Sequence, residues 1–273
     1  MSPTPSSKAL RDERILGIGG SAVVSRYDGT TVLKGYVVWL DGRERISFES
    51  QESPKRSLDR EREIYERLGT QPCILGYYGV VALKPDVHSL RLEYASNGDL
   101  RSFIRANEPD SISISQRLTW AIDLASGLSY IHSKGVFHCD FSCRNIFVTK
   151  DKSVKIGDFG GSKIDKKDPY GAEEPWYELP LRGRLWEKRP YVKRELFALG
   201  CGIYEIMAWG KPFEELNERE VEARFAREEF PDITAIFGEG VIRKCWREMF
   251  ETAEDVKVAL QALHTKVALQ DHA

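Results

Sequence analysis

GVFHCDFSCRNIFVTKDKSVKIGDFGG, residues 135–161, is the stretch on which the reading of this chain turns. Asp140 is followed five residues later by Asn145, then by apolar Ile146 to Val148, a charged turn at Lys150 to Lys152, a second apolar segment, Val154 to Ile156, and Asp158-Phe159-Gly160. Two short apolar segments around a charged turn predict a β-hairpin. Such a hairpin brings two carboxylates and one amide oxygen to the same end of two strands. These are hard oxygen donors, suited to Mg²⁺ and to a hydroxyl proton and unsuited to zinc or copper.

The spacing resembles the eukaryotic protein kinase family, whose catalytic loop reads H-R-D-x-x-x-x-N and whose metal loop reads D-F-G. Here the loop reads His138-Cys139-Asp140, then Asn145, then Asp158-Phe159-Gly160. Residues at fixed offsets, each roughly one in twenty by average composition, make coincidence remote. The resemblance covers roughly residues 10 to 265 and implies transfer of the ATP γ-phosphate to a protein hydroxyl, with serine or threonine ahead of tyrosine. It also implies ATP and Mg²⁺ as cofactors and a protein substrate as partner.

Composition sets the frame for that resemblance. The 273 residues are 41% hydrophobic and 30% charged, as in an ordinary globular protein long enough for two lobes. No apolar run approaches the ~20 residues that cross a bilayer, and MSPTPSSKAL lacks the apolar centre of a signal peptide, so a cytoplasmic or nuclear protein is expected. A net charge of −2 offers no global field for nucleic acid or an acidic membrane. The cysteines at 73, 139, 143, 201 and 245 form no C-x-x-C pair, which predicts reduced thiols and no zinc site.

From the N-terminus, a Pro- and Ser-rich tail over residues 1–9 is expected to be disordered. Then ILGIGGSAVVSRYDGTTVLKGY reads as two or three strands with a glycine-rich turn and a hairpin turn at Asp28-Gly29. Gly17 to Val24 resembles the kinase phosphate-covering loop G-x-G-x-x-G-x-V, with Ala22 in the third glycine position. Gly17 and Gly19 would let backbone N–H groups approach phosphate. Thr31-Val32-Leu33-Lys34 resembles the family's V-A-I-K strand, so Lys34 is expected on the α- and β-phosphates; alone, a lysine ending a strand is usually a snorkelling surface residue.

Val37 to Arg56 is long for a connection and reads as a surface loop or extra hairpin. A helix is predicted from Leu58 to Leu68 with Gly69 as its cap, and Glu61 interrupts its apolar stripe. The resemblance makes Glu61 the partner of Lys34, with Glu63 as competitor on the outer face. Ile74 to Leu83 and His88 to Tyr94 read as strands leading into a hinge, where the backbone of Glu93 and Ala95 would hold adenine. Asp99 has two readings: a contact to ribose or the N-terminal cap of the next helix.

Thereafter the pattern is helical. Ser113 to Gln116 fits a capping box ahead of a stripe of Leu118, Ala121, Ile122, Ala125, Leu128 and Ile131, stopped by Gly135. Arg194 to Trp209 is apolar nearly all round, as a buried helix should be, and a last helix reaches Leu263. Strands first and helices afterwards give an α+β, bilobal kinase-like fold with a small β-rich N-lobe at about 10–94, a hinge at about 95–99, a larger helical C-lobe at about 100–266, and a tail over 267–273.

In the chemistry the resemblance implies, Asp140 accepts the hydroxyl proton, Asn145 and Asp158 hold Mg²⁺, Lys34 held by Glu61 steadies the phosphates, and Gly17, Gly19 and Val24 cover the nucleotide. His138 is expected to pack on Phe159 and to hydrogen-bond backbone. Departures are also visible. Cys139 stands where most kinases carry an arginine, which argues against control by activation-loop phosphorylation, although Tyr170 and Ser162 are available as acceptors. Ser142 replaces a lysine, while Arg144-Asn145 is similar to the tyrosine-kinase ending of the loop and puts Arg144 among the catalytic candidates. Glu195 replaces an aspartate that anchors the loop, its extra methylene expected to loosen it. No A-P-E is present, and Glu178 of Tyr177-Glu178-Leu179-Pro180, with Arg247 as a candidate partner, is the nearest match. A pseudokinase scaffold and a small-molecule phosphotransferase are the competing functions.

Overall fold

The structure, a computed structural model, describes residues 12–19 and 22–270. The N-terminal tail, Gly20 and Ser21 of the glycine-rich turn, and residues 271–273 lie outside the described residues. Two compact units emerge: one formed by the described residues up to Gln71 with Leu75–Tyr94, the other by Pro72–Ile74 and the described residues from Ala95 onward.

In the first unit, β1 (Ile15–Ile18), β2 (Val23–Arg26), β3 (Thr31–Gly35), β6 (Tyr77–Lys84) and β7 (Val87–Glu93) form an antiparallel five-stranded sheet in the order β1-β2-β3-β7-β6. The long connection after β3 resolves into a separate hairpin of β4 (Val37–Leu40) and β5 (Arg43–Ser47). Its turn, Asp41-Gly42, has φ of 54° and 69° at the two positions. Two successive left-handed residues match the twist of a two-residue hairpin, and Asp-Gly is a dipeptide that tolerates them.

α1 (Glu52–Leu68) starts six residues before the expected Leu58. Ser53-Pro54 reads as a turn signal in the sequence, yet Pro54 lies in the first helical turn, where backbone N–H groups have no intrahelical partner and proline removes nothing. The helix ends on Gly69 at φ 62° and buries Leu58, Glu61, Ile64, Tyr65 and Leu68 while packing on β7. β6 starts later than expected. Cys73 and Ile74, which belong to the second unit, pair there with Ile156 instead, Ile156 N donating to Cys73 O at 2.8 Å. An apolar run does not reveal which strand it will pair with.

The second unit contains α2 (Leu100–Ala106), α3 (Ile114–Ser133), β8 (Val136–Phe137), β9 (Ile146–Val148), β10 (Val154–Ile156), β11 (Lys163–Ile164), α4 (Tyr191–Ala208), α5 (Glu218–Ala226), α6 (Glu239–Trp246) and α7 (Ala253–Gln270). Ser113 caps α3 by accepting from Gln116 N. Its buried face is wider than one stripe because it meets α4, α7 and β10: Trp120 and Leu124 are buried, and Ile122 is only half-buried. α7 runs past Leu263 to Gln270, since His264–Gln270 contains neither Gly nor Pro to stop it. A small β-rich unit and a larger helical unit give the α+β class expected from strands first and helices afterwards.

α4 is the centre of the second unit. Leu196, Phe197, Leu199, Cys201, Ile203 and Ile206 are all at most 1% exposed. Gly200 lets α6 approach: a Cβ there would lie 2.5 Å from Cys245 Cβ. Gly200→Ala should therefore overpack the α4/α6 contact and destabilise the protein by about 1–3 kcal/mol, read as a lower urea midpoint at unchanged m-value.

Candidate functional site

In the first unit, Lys34 sits near the end of β3 with Val24 and Leu90 as cross-strand neighbours. Its Nζ lies 2.7 Å from Oε2 of Glu61, whose side chain is 1% exposed. Glu61 thus breaks the apolar face of α1 because a cation meets it there; Glu63 is less buried. Gly19 N donates to Ala22 O at 2.8 Å, closing the glycine-rich turn. At Gly17, an added Cβ would meet no atom within 4 Å among the described residues, so local packing does not demand a glycine. Val24 is half-buried on β2. Glu93 ends β7, its backbone N–H donating to Gly76 O and its carboxylate accepting from Gly76 N.

The second unit brings together the loop residues. β9 and β10 pair from Ile146↔Ile156 to Val148↔Val154, and Gly157 N donates to Asn145 O at 3.0 Å, so Asn145 and Asp158 leave the hairpin side by side. Asn145 Nδ2 donates to Asp140 O at 2.7 Å. Asp140 N donates to His138 Nδ1 at 3.3 Å, which leaves Nε2 to donate to Gly157 O at 2.9 Å. The His138 ring also packs on Phe159, centroids 5.2 Å apart. Histidine, asparagine and two backbone segments therefore form one closed set of bonds around Asp140.

Two residues of this set hold left-handed backbone: Cys139 at φ 62° and Asp158 at φ 60°. Such conformations persist only where neighbours over-determine them. At Cys139 the determinant is Glu195 of α4, whose Oε1 accepts from Cys139 N at 2.8 Å while Oε2 meets His132 Nε2 at 2.6 Å. The expected loosening by the extra methylene is not seen, because α4 places both glutamate oxygens on partners.

Asp140 Oδ1 is buried without a hydrogen-bond partner; Arg144 Nη2 stands 3.9 Å away. Desolvation raises its pKa above the usual 3.8, opposed by His138, Arg144 and Asn145 and reinforced by Asp158. Arg144 is half-exposed, its Nε 3.4 Å from Glu174. Burial, then the carboxylate of Glu195, pushes the Cys139 thiol up, and burial does the same to Cys143, so both are neutral. Among the described residues, no group of three or more His, Cys, Asp or Glu is placed to hold a metal. The donor set fits Mg²⁺ nonetheless: the Asn145 amide nitrogen is bound to Asp140 O, which leaves its oxygen as the other pole, and Mg²⁺ needs few protein oxygens because it keeps several waters. At the start of the second unit, Ala95 O accepts from Gly98 N at 3.1 Å, and Asp99 caps α2 through Ser102 N at 2.9 Å.

The segment after Asp158 departs from expectation. Glu178 pairs with Arg189 at 2.8 Å, and the candidate partner Arg247 is exposed. Arg189 lies on the segment's own return, closer in sequence than any pattern suggested. The buried acids are instead Glu173, held by Arg194, and Glu174, held by Arg101, at 2.7 Å and 2.6 Å. Sequence reasoning misses both, because Glu-Glu before Pro175 reads as a solvated acidic pair and only the position of the two arginines in space makes it otherwise.

Residues 45–263 match the model of the protein tyrosine and serine/threonine kinase family. The chain is 28% identical over 172 residues to serine/threonine/tyrosine-protein kinase HT1 of Arabidopsis thaliana, covering 60% of this chain and 44% of that protein. It is 27% identical over 220 residues to mitogen-activated protein kinase kinase kinase 17 of Arabidopsis thaliana, covering 76% and 54%. It is 35% identical over 162 residues to the human dual specificity testis-specific protein kinase 1, covering 55% and 25%. The chain thus spans less than two thirds of each relative. No helix among the described residues is long and apolar enough to cross a membrane. The loop geometry around Asp140 and the match over most of the sequence lead to one conclusion: the chain belongs to the protein tyrosine and serine/threonine kinase family.

Proposed function

We propose that this chain is an active protein kinase domain that transfers the γ-phosphoryl group of ATP to a protein hydroxyl, serine or threonine ahead of tyrosine. The observation that carries this reading is Asp140: its backbone N–H and C=O are both held by neighbours, and its carboxylate retains a buried oxygen without a hydrogen-bond partner. Leaving a polar atom in that state is unfavourable by about 1–3 kcal/mol, and an incoming hydroxyl relieves it. Because phosphoryl transfer depends chiefly on positioning and charge neutralisation, a held base and a held lysine are the parts the protein must supply.

In this reading Asp140 accepts the proton from the acceptor hydroxyl, and Arg144, 3.9 Å away, favours the ionised carboxylate that can accept it. Lys34, kept in place by Glu61, steadies the α- and β-phosphates. The backbone of the turn at Gly17 and Gly19 covers them, and a Cβ at Gly17 would meet no described protein atom within 4 Å, which leaves the backbone there open to a phosphate. Val24 contacts the base, the backbone of Glu93 and Ala95 hydrogen-bonds adenine, and the second oxygen of Asp99 reaches the ribose. Asn145 and Asp158 hold Mg²⁺, which when bound neutralises the phosphate charge. A protein substrate is the partner; HT1 and mitogen-activated protein kinase kinase kinase 17 carry kinase names that agree with it.

Mg²⁺-dependent phosphate transfer from labelled ATP to a generic protein substrate, with Asp158→Asn as control, tests this reading. Transfer by the wild type and none by the control is expected; ATP binding without transfer to any acceptor would leave a pseudokinase, and transfer to small alcohols alone a different phosphotransferase. Asp140→Asn should lower kcat by about 10²- to 10⁴-fold while nucleotide affinity stays, as measured by fluorescence titration. Lys34→Met should raise the Kd for ATP by about tenfold or more, the worth of one charge-assisted hydrogen bond.

Asp140 also sets a pH dependence. Its pKa is raised, so the base protonates, and kcat/KM falls, as pH drops through a value above the usual 3.8. The pH–rate profile should show that acid limb in the wild type, and the residual activity of Asp140→Asn should lack it.

A further inference from the structure

The segment from Asp158 to Pro180 contains three hydroxyl side chains, Ser162, Tyr170 and Tyr177. Ser162 and Tyr177 are 0% exposed, and Tyr170 is 49% exposed. A modifying enzyme can therefore reach only Tyr170 in the folded state. Yet the part of the segment nearest Asp140 is already tied down. A Cβ at Gly171 would lie 3.6 Å from Asp140 Cβ, and the N–H groups of Tyr170 and Gly171 both donate to Gly161 O at 2.9 Å.

Beyond Gly171, charge holds the chain. Arg194, in the first turn of α4, forks onto Glu173 through Nε to Oε1 at 2.9 Å and Nη2 to Oε2 at 2.7 Å, with side-chain exposures of 2% and 1%. Consecutive residues of extended chain point to opposite sides, so Glu174 faces the other way and meets Arg101, which also grips Glu205 near the end of α4. Tyr177 Oη donates to Glu205 at 2.6 Å. The segment is thus fastened to both ends of one buried helix. Glu173 and Arg194 also act electrostatically on Cys139, the neighbour of Asp140, so this end of the fastening lies beside the loop that carries the base.

A buried ion pair adds little net stability over a well-packed apolar pair, but it specifies which groups meet, because every alternative register strands a charge. We propose that Glu173 is a positioning residue: its carboxylate, forked onto Arg194, holds residues 171–178 in the conformation that admits a protein substrate beside Asp140, with no phosphate required on the segment. The activity part of this inference rests on the kinase reading above; the anchoring part does not.

Activity and exchange measurements separate the two parts. Wild type treated with phosphatase, and Tyr170→Phe, should turn over at the rate of untreated protein. Glu173→Gln should lower kcat by about tenfold or more with KM for ATP within about twofold, and hydrogen exchange should speed up selectively at residues 171–178. Glu173→Asp should recover part of both effects. Should the single variant fail to fold, Glu173→Leu with Arg194→Met removes both charges together and should keep the thermal midpoint while losing turnover and protection in the segment. Phosphatase silencing of the wild type, or unchanged turnover and exchange in the Glu173 variants, overturns the proposal. If the wild type transfers no phosphate but exchange in the segment still accelerates in Glu173→Gln, the kinase reading fails and the anchor stands.

Discussion

The carboxylate of Glu195 is the constraint on which the second unit depends. It is 1% exposed, accepts from the backbone of Cys139 and meets His132 from α3. Without that acceptor, the N–H of Cys139 would be a buried donor without a partner in a residue whose left-handed backbone is already unfavourable. The position of Asp140 follows from that of Cys139, and those of Asn145 and Asp158 follow through the bonds to Asp140 O, His138 and Gly157 O. A residue of α4 therefore sets the geometry of the loop that carries Asp140.

Buried charge recurs throughout the molecule in paired form. Lys34 with Glu61, Arg194 with Glu173, and Arg101 with Glu174 and Glu205 are all largely removed from water. Each ion loses solvation on burial, so such pairs persist where their geometry is well met and where they specify one arrangement. Each links segments distant in sequence: a strand to a helix in the first unit, and the stretch after Gly171 to α2 and α4 in the second. The thiols of Cys139 and Cys143, near Asp140, behave oppositely, being buried and neutral.

Local features are readable wherever short-range chemistry decides. The hairpin at 146–156 has the bounds its apolar segments and charged turn indicate, and Asp28-Gly29 and Asp41-Gly42 mark turns. The packing of His138 on Phe159 and the meeting of Lys34 with Glu61 are likewise legible, through the resemblance rather than through the residues alone. Illegible features are those in which one signal admits two outcomes. Pro54 suits a turn or a first helical turn; Ile74 suits β6 or a bridge to β10; Ile122 and Leu124 of α3 cannot be ranked until α4, α7 and β10 are in place.

Element types, the order of strands before helices, and the identity of the loop carrying Asp140, Asn145 and Asp158 are all set along the chain, because hydrophobic period, turn residues and fixed spacing are properties of near neighbours. Which charges pair is settled in three dimensions: Glu178 with Arg189 rather than Arg247, Glu173 with Arg194, and Glu174 with Arg101. The reason is physical. A carboxylate is indifferent to sequence distance and pairs with whichever cation the packing of helices brings within about 3 Å while water is excluded.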